Sequence, residues 1–225
     1  MTDAKKDPII RMFHVSKTYA AKKALIDISL DVYKNDFIFI SGPSGAGKTT
    51  LLKILYLGET ASGGQVIVDG MNLARITKKR IPYLRRLFGI IFQDYKLIPT
   101  KTVFENVALV LEALGTDQRN IAKKVHHVLR NVGMEDRRNA FPPSLSGGEQ
   151  QRVAVARAVV GNPKIILADE PTGSLDSESA AIIFDLLQQF HIRGGTLMVA
   201  THDVALLQKP GQRIIHLKAG MLLQE

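Results

Sequence analysis

The order of hydrophobic and polar positions along this chain alternates between strand-like and helix-like stretches. Ile9–His14 reads as a strand, and Ile28–Val32 alternates apolar and polar residues like a half-buried one. Phe37–Ser41 is a short apolar run that ends in a Gly-rich loop, and Thr49–Leu57 beyond it has helical character. Gln65–Val68 is another strand candidate, closed by the Asp69-Gly70 turn signal. Gly89–Phe92 is apolar, short and bounded, which suits a buried strand.

The middle of the chain changes character. Val103–Leu114 and Ile121–Val132 are helical in pattern. In the second, Val125, Val128, Leu129 and Val132 share one face. Pro142-Pro143 breaks the pattern, and a further helix opens near Gly147 and runs to about Val160. A strand follows at Lys164–Asp169. Ser177–His191 is helical, with Ala180, Ile183, Phe184 and Leu187 on one face. Thr196–Ala200 reads as a strand, and Arg213–Leu217 with Met221–Leu223 reads as a closing hairpin through Ala219-Gly220. Strands alternating with helices predict an α/β fold with a mainly parallel sheet. The helical block interrupts that alternation. The expected organisation is one domain, with a core at about 9–93 and 161–225 and an inserted helical subdomain at about 94–160.

Composition narrows the class. The 225 residues are 45% hydrophobic and 23% charged, which excludes whole-chain disorder. There is no cysteine, so disulfides, thiolate metal sites and Cys nucleophiles are all excluded. No apolar run approaches the roughly 18–20 residues of a membrane span, and Met1–Asp7 lacks the apolar core of a secretory signal. The expectation is a soluble intracellular protein. The net charge of +9 leaves three readings open: nucleic acid, an anionic membrane surface, or a solvated basic face.

Chemistry enters at Gly42-Pro43-Ser44-Gly45-Ala46-Gly47-Lys48-Thr49, which matches G-x-x-x-x-G-K-[ST] between a strand and a helix. Glycines let successive N–H groups point into one concavity that binds anionic oxygens, and the helix N-terminus adds its positive dipole end. In such a loop Lys48 bridges the β- and γ-phosphates and the Thr49 hydroxyl ligates Mg²⁺. Chance alone would produce this pattern in a chain of this length about once in a hundred. Ile165-Ile166-Leu167-Ala168-Asp169-Glu170 is an apolar strand ending in two acids. By itself that is an ordinary solvated strand end. Beside a phosphate loop, Asp169 suits Mg²⁺ or its water shell, and Glu170 suits polarising an attacking water.

Leu145-Ser146-Gly147-Gly148-Glu149-Gln150-Gln151-Arg152 opens a helix after the double proline, a second place where N–H groups and a hydroxyl can face a phosphate. With it the sequence resembles the ATP-binding cassette (ABC) ATPases, whose signature LSGGQ here carries Glu149 in its last place. The resemblance implies a RecA-like mixed-sheet core, an N-terminal antiparallel β subdomain and an inserted helical subdomain. It also implies a homodimer formed on ATP binding, in which the signature of one subunit closes over ATP on the loop of the other. The resemblance extends over nearly the whole chain. Tyr19 matches the aromatic that stacks on adenine, and Gln93 the Q-loop that senses Mg²⁺ and the membrane partner. Ser174-Leu175-Asp176 matches the D-loop at the dimer interface, and His202 the histidine that contacts the γ-phosphate. Singly, Tyr19 would be a sheet-surface aromatic and His202 structural; their order in one set carries the assignment. The implied nucleotide-binding set is Tyr19, Gly42–Thr50, Gln93, Ser146–Glu149 and Asp176. Glu170, His202 and Lys48 are its catalytic members, and Thr49, Gln93 and Asp169 hold Mg²⁺. His126-His127 read as helix-surface residues rather than metal ligands.

Within the family the finer resemblance is to the ATPases of bacterial cell-division complexes. It rests on Ile81-Pro82-Tyr83-Leu84-Arg85-Arg86, on Gly89–Pro99 and on Thr102-Val103-Phe104-Glu105-Asn106-Val107. Ser174 departs from the asparagine that many such proteins carry. The resemblance implies an ATPase at the cytoplasmic face of the inner membrane, peripheral to an integral membrane subunit. ATP-driven closure there would regulate septal peptidoglycan hydrolysis, and other division proteins would be contacted. The alternatives are lipoprotein-releasing or MacB-like efflux ATPases, which share many of these strings, a soluble cassette protein acting on nucleic acid, and a binding-only switch. The basic clusters Lys78-Lys79-Arg80, Arg85-Arg86, Lys123-Lys124 and Arg137-Arg138 then favour an anionic membrane surface over nucleic acid.

Overall fold

In the computed structural model, which describes residues 7–203, 207 and 212–223, the chain divides into two units. One comprises Met1–Arg85 and Thr196–Glu225, the other Arg86–Gly195.

The first unit carries two sheets. β1 (Ile10–Tyr19), β2 (Lys22–Val32), β4 (Gly63–Val68) and β5 (Met71–Asn72) form an antiparallel sheet in the order β2-β1-β4-β5. Ile10, Met12, Val15, Ile28, Leu30, Val32, Val66 and Val68 are buried there. β1 and β2 run further than their alternation predicts. Register shifts between Met12 and Val15 and again beyond Val15 scramble the period-2 pattern that a sequence reader follows. The second sheet runs β10-β9-β3-β8, from β3 (Phe37–Ser41), β8 (Thr196–Thr201), β9 (Arg213–Lys218) and β10 (Met221–Leu222). β3 pairs in parallel with both β8 and β9, as buried apolar runs do when both faces are covered. α1 (Lys48–Leu55) follows β3 and buries Leu51, Leu52, Ile54 and Leu55. α2 (Ile81–Arg85), with Pro82 in its first turn, is a helix that the hydrophobic pattern does not announce.

In the second unit β6 (Phe88–Ile91) and β7 (Ile165–Asp169) pair in parallel. The helices are α3 (Val103–Ala113), α4 (Gln118–Asn131), α5 (Gly147–Val159) and α6 (Ser177–Ile192). α3, α4 and α5 share a core that includes Val103, Val107, Leu111, Val125, Leu129, Met134, Val153 and Ala156. Start signals are explicit. Thr102 and Glu105 form a reciprocal capping box on α3, and Asp117 caps α4. Asn106 is fully buried and fully used. It donates to the carbonyls of Ile98, Lys101 and Thr102 and accepts from the Ile98 N–H, fixing the loop that enters α3.

Candidate functional site

In the first unit the Gly-rich loop leaves β3 and turns directly into α1. Gly47, the N-cap, has φ 110°, and a Cβ there would stand 2.5 Å from the Ala24 carbonyl oxygen. At Gly42 a Cβ would meet the Leu217 carbonyl oxygen at 2.1 Å. Only glycine lets the loop lie this close to β2 and β9. α1 has no side-chain cap and no acid in its first turn, so its positive end is not neutralised locally. Lys48 is buried, and its Nζ donates to the carbonyls of Gly42 (2.6 Å) and Pro43 (3.3 Å), which folds the loop over the ammonium. Thr49 is exposed and Thr50 half-buried in the same turn. This is an anion cradle: curled backbone, an uncapped helix start and one fixed cation.

His202 belongs to the same edge. Ser41 pairs in register with Thr201, so the residue after β8 emerges where the loop leaves β3. The Thr201 hydroxyl accepts from the Asp203 N–H at 3.0 Å and turns the chain there. Ligands of open parallel sheets bind at this carboxyl edge. Tyr19 ends β1, 38% exposed, with Lys17 Nζ 4.7 Å from its ring centroid. Lys17 in turn pairs with Glu59 at 3.0 Å. One face of the ring thus carries a cation.

In the second unit Ile91 pairs with Ala168, which brings Gln93 and Asp169 to the carboxyl edge of β6 and β7. Glu170 follows with φ 47°, a left-handed turn that takes the chain off the strand. The signature opens α5. Ser146 is the N-cap, its hydroxyl accepting from the Glu149 N–H (3.2 Å) while the Glu149 carboxylate accepts from the Ser146 N–H (2.8 Å). Glu149 also stands 3.5 Å from Arg137 Nε. The acid that replaces glutamine in the signature is therefore engaged as a cap. Asp176 caps α6, accepting from the N–H and the hydroxyl of Ser179 (2.9 and 2.8 Å). The Ser179 N–H, then its hydroxyl, holds the Asp176 carboxyl below the usual aspartate range. A Cβ on Gly148 would lie 2.6 Å from Ser179 Oγ, so the signature and D-loop helices meet at their first turns.

Several supporting residues escape sequence reasoning. Gln151, buried in α5, donates to the Pro171 carbonyl just after Glu170 (2.7 Å). Arg157 donates to the carbonyls of Tyr95 and Lys96, each at 2.6 Å, holding the turn after Gln93. Burial lowers the Arg157 pKa from the usual arginine value. The Tyr95 hydroxyl shares a 3.1 Å hydrogen bond with Ser174 of the D-loop, and a Cβ on Gly147 would sit 3.1 Å from it. The one local signal was Arg157 itself, a charge inside the apolar run Val153–Val160. Phosphate loop and His202 thus lie in one unit. Gln93, Asp169, Glu170, the signature and the D-loop lie in the other.

A family model described as ABC transporter matches residues 25–173. The cell division ATP-binding protein FtsE of Streptococcus pneumoniae is 44% identical, covering 96% of this chain and 95% of that one. The FtsE of Mycobacterium tuberculosis is 42% identical, over 96% and 95%. A dimeric ATP-binding cassette in a post-hydrolysis state, bound to ADP and Pi, superposes with a TM-score of 0.89 at 36% identity, covering 96% and 97% of the two chains.

Proposed function

Since the chain belongs to the ABC transporter family, we propose that it is the ATP-binding and ATP-hydrolysing subunit of an FtsEX-type complex. In such a complex, closure of two cassettes beneath an FtsX-like membrane subunit regulates septal peptidoglycan hydrolysis in cell division. The observation that carries the ATPase reading is the anion cradle at β3–α1, with His202 on the same sheet edge. Identity with FtsE proteins over almost the full length supports the division role. These relatives do not favour the efflux and lipoprotein-release alternative.

The roles follow from the chemistry. Lys48 and the N–H groups of Gly45–Thr50 hold the phosphates. Tyr19 offers its other ring face to adenine. Glu170 orients water for in-line attack, and His202 steadies the γ-phosphate as charge redistributes. Ser146, Gly147 and Gly148 present hydroxyl and backbone donors to ATP on a second copy, and Asp176 lies at that interface. Glu149 acts through Ser146, whose hydroxyl it orients. Mg²⁺ fits the donor set. Thr49 in one unit, and Gln93 and Asp169 in the other, carry side-chain oxygens, the ligand type a hard cation takes. Bound there, Mg²⁺ would neutralise phosphate charge.

No helix among the described residues is long and apolar enough to cross a membrane. The resemblance to FtsE proteins supports a place at the cytoplasmic face of the inner membrane through the membrane subunit, which the Gln93–Thr102 segment would engage. Co-purification with candidate integral membrane subunits tests the role. Capture of an FtsX-type protein is expected; capture of only a lipoprotein-release subunit would overturn it.

A further inference from the structure

From Met71 to Phe92 the chain carries Arg75, Lys78, Lys79, Arg80, Arg85 and Arg86 and no acid. The structure separates these cations by task. Arg85 donates to the carbonyls of Tyr56 (3.3 Å) and Leu57 (3.1 Å), and Arg86 to that of Ala113 (3.2 Å), so both brace backbone. Arg75, Lys78, Lys79 and Arg80 are exposed, and none is ion-paired with a described residue. The segment is held in place at both ends. Leu73 and Leu84 are buried anchors. Around Leu73 the Asn72 side chain accepts from the Ala74 N–H, and further on the Arg80 N–H closes a turn on the Thr77 carbonyl. Tyr83, 61% exposed, stands on α2 directly after the cations.

An ordered surface segment with clustered cations, no acid and an adjacent exposed tyrosine has the chemistry of a membrane–water interface. Cations gain from anionic headgroups, and tyrosine places its ring at headgroup level with its hydroxyl in water. Because the segment is already fixed, little ordering entropy opposes contact. We propose that Arg75, Lys78, Lys79 and Arg80, with Tyr83, form a docking patch for an anionic phospholipid surface. The proposal rests on the membrane-subunit reading, which brings the chain close to a leaflet. It narrows the sequence expectation, since Arg85 and Arg86 are already committed to carbonyls and leave the patch.

The test is co-sedimentation of the full chain with vesicles of phosphatidylcholine, with and without phosphatidylglycerol. Parent protein should bind the anionic vesicles, weakly at high salt, and ignore the neutral ones. Replacing Lys78, Lys79 and Arg80 together by Gln should weaken partitioning about a hundredfold. Lys123→Gln with Lys124→Gln, equally exposed on α4, should change it little. Tyr83→Ala should weaken the binding that persists at high salt. ATP turnover without vesicles should match the parent in every variant, which separates a failed patch from a failed ATPase assignment. Equal binding by the triple variant, equal loss in the α4 variant, or tighter binding to duplex DNA lost in the triple variant would each overturn the proposal.

Discussion

Arg157 offers a sharp test of how the signature helix supports the turn after Gln93. Tyr95 and Lys96 have φ of 58° and 51°, a consecutive left-handed pair of non-glycine residues that costs roughly 1 kcal/mol each. The Arg157 guanidinium offsets that cost by donating to both of their carbonyls at 2.6 Å. Arg157→Lys keeps the charge and loses the planar fork, so one charged hydrogen bond disappears. That is worth about 1.5–3 kcal/mol. For a chain of this size it should lower Tm by about 3–12 °C. Arg157→Met removes both hydrogen bonds; the exposed Lys96 carbonyl regains water and the part-buried Tyr95 carbonyl does not, so the cost should be about 2–4 kcal/mol. Lys96→Gly in the lysine background relieves one strained residue and should return about 1 kcal/mol. Scanning calorimetry of the four proteins gives the series. A lysine variant that melts within about 1 °C of the parent would refute the bidentate clamp.

The Asp176 carboxyl titrates lower folded than unfolded, so its contribution is present above the unfolded aspartate value, about 3.9, and is lost as pH falls through the folded one. Asp176→Asn should keep the cap and flatten that acid limb, read as denaturation midpoints at several pH values. Gly148→Ala should destabilise and slow turnover although alanine favours helix by about 1 kcal/mol, because its Cβ meets Ser179 Oγ; Ser179→Ala added to it removes that atom and should recover part of the loss. Lys48→Ala should abolish tight ATP binding in equilibrium titration, and retained affinity would remove the lysine from the phosphate site.

The hydrophobic pattern located the longer elements because their burial is regular: Val125, Val128 and Leu129 on one face of α4, and the continuous apolar run Ile165–Ala168 of β7, buried on both faces. It missed α2 and β5, which are too short to repeat a period and, in α2, contain Pro82. The site motifs were legible because phosphate chemistry demands residue types at fixed local spacing. Their supports were not. Tyr95 meets Ser174 across 79 positions, and Arg157 meets Lys96 across 61. Such pairs are set by how β6, β7 and the helices pack, which no local pattern encodes. Glu149 shows the intermediate case. The sequence marks it as a departure from the signature, and the structure explains it as a capping-box acid paired with Arg137.

On the function proposed above, this chain hydrolyses ATP with Glu170 and closes as a dimer around it. Glu170→Gln, mixed with MgATP and followed by size-exclusion chromatography and phosphate release, tests both parts together. A stable ATP-bound dimer with little turnover is expected. A variant that stays monomeric and releases phosphate at the parent rate would contradict it.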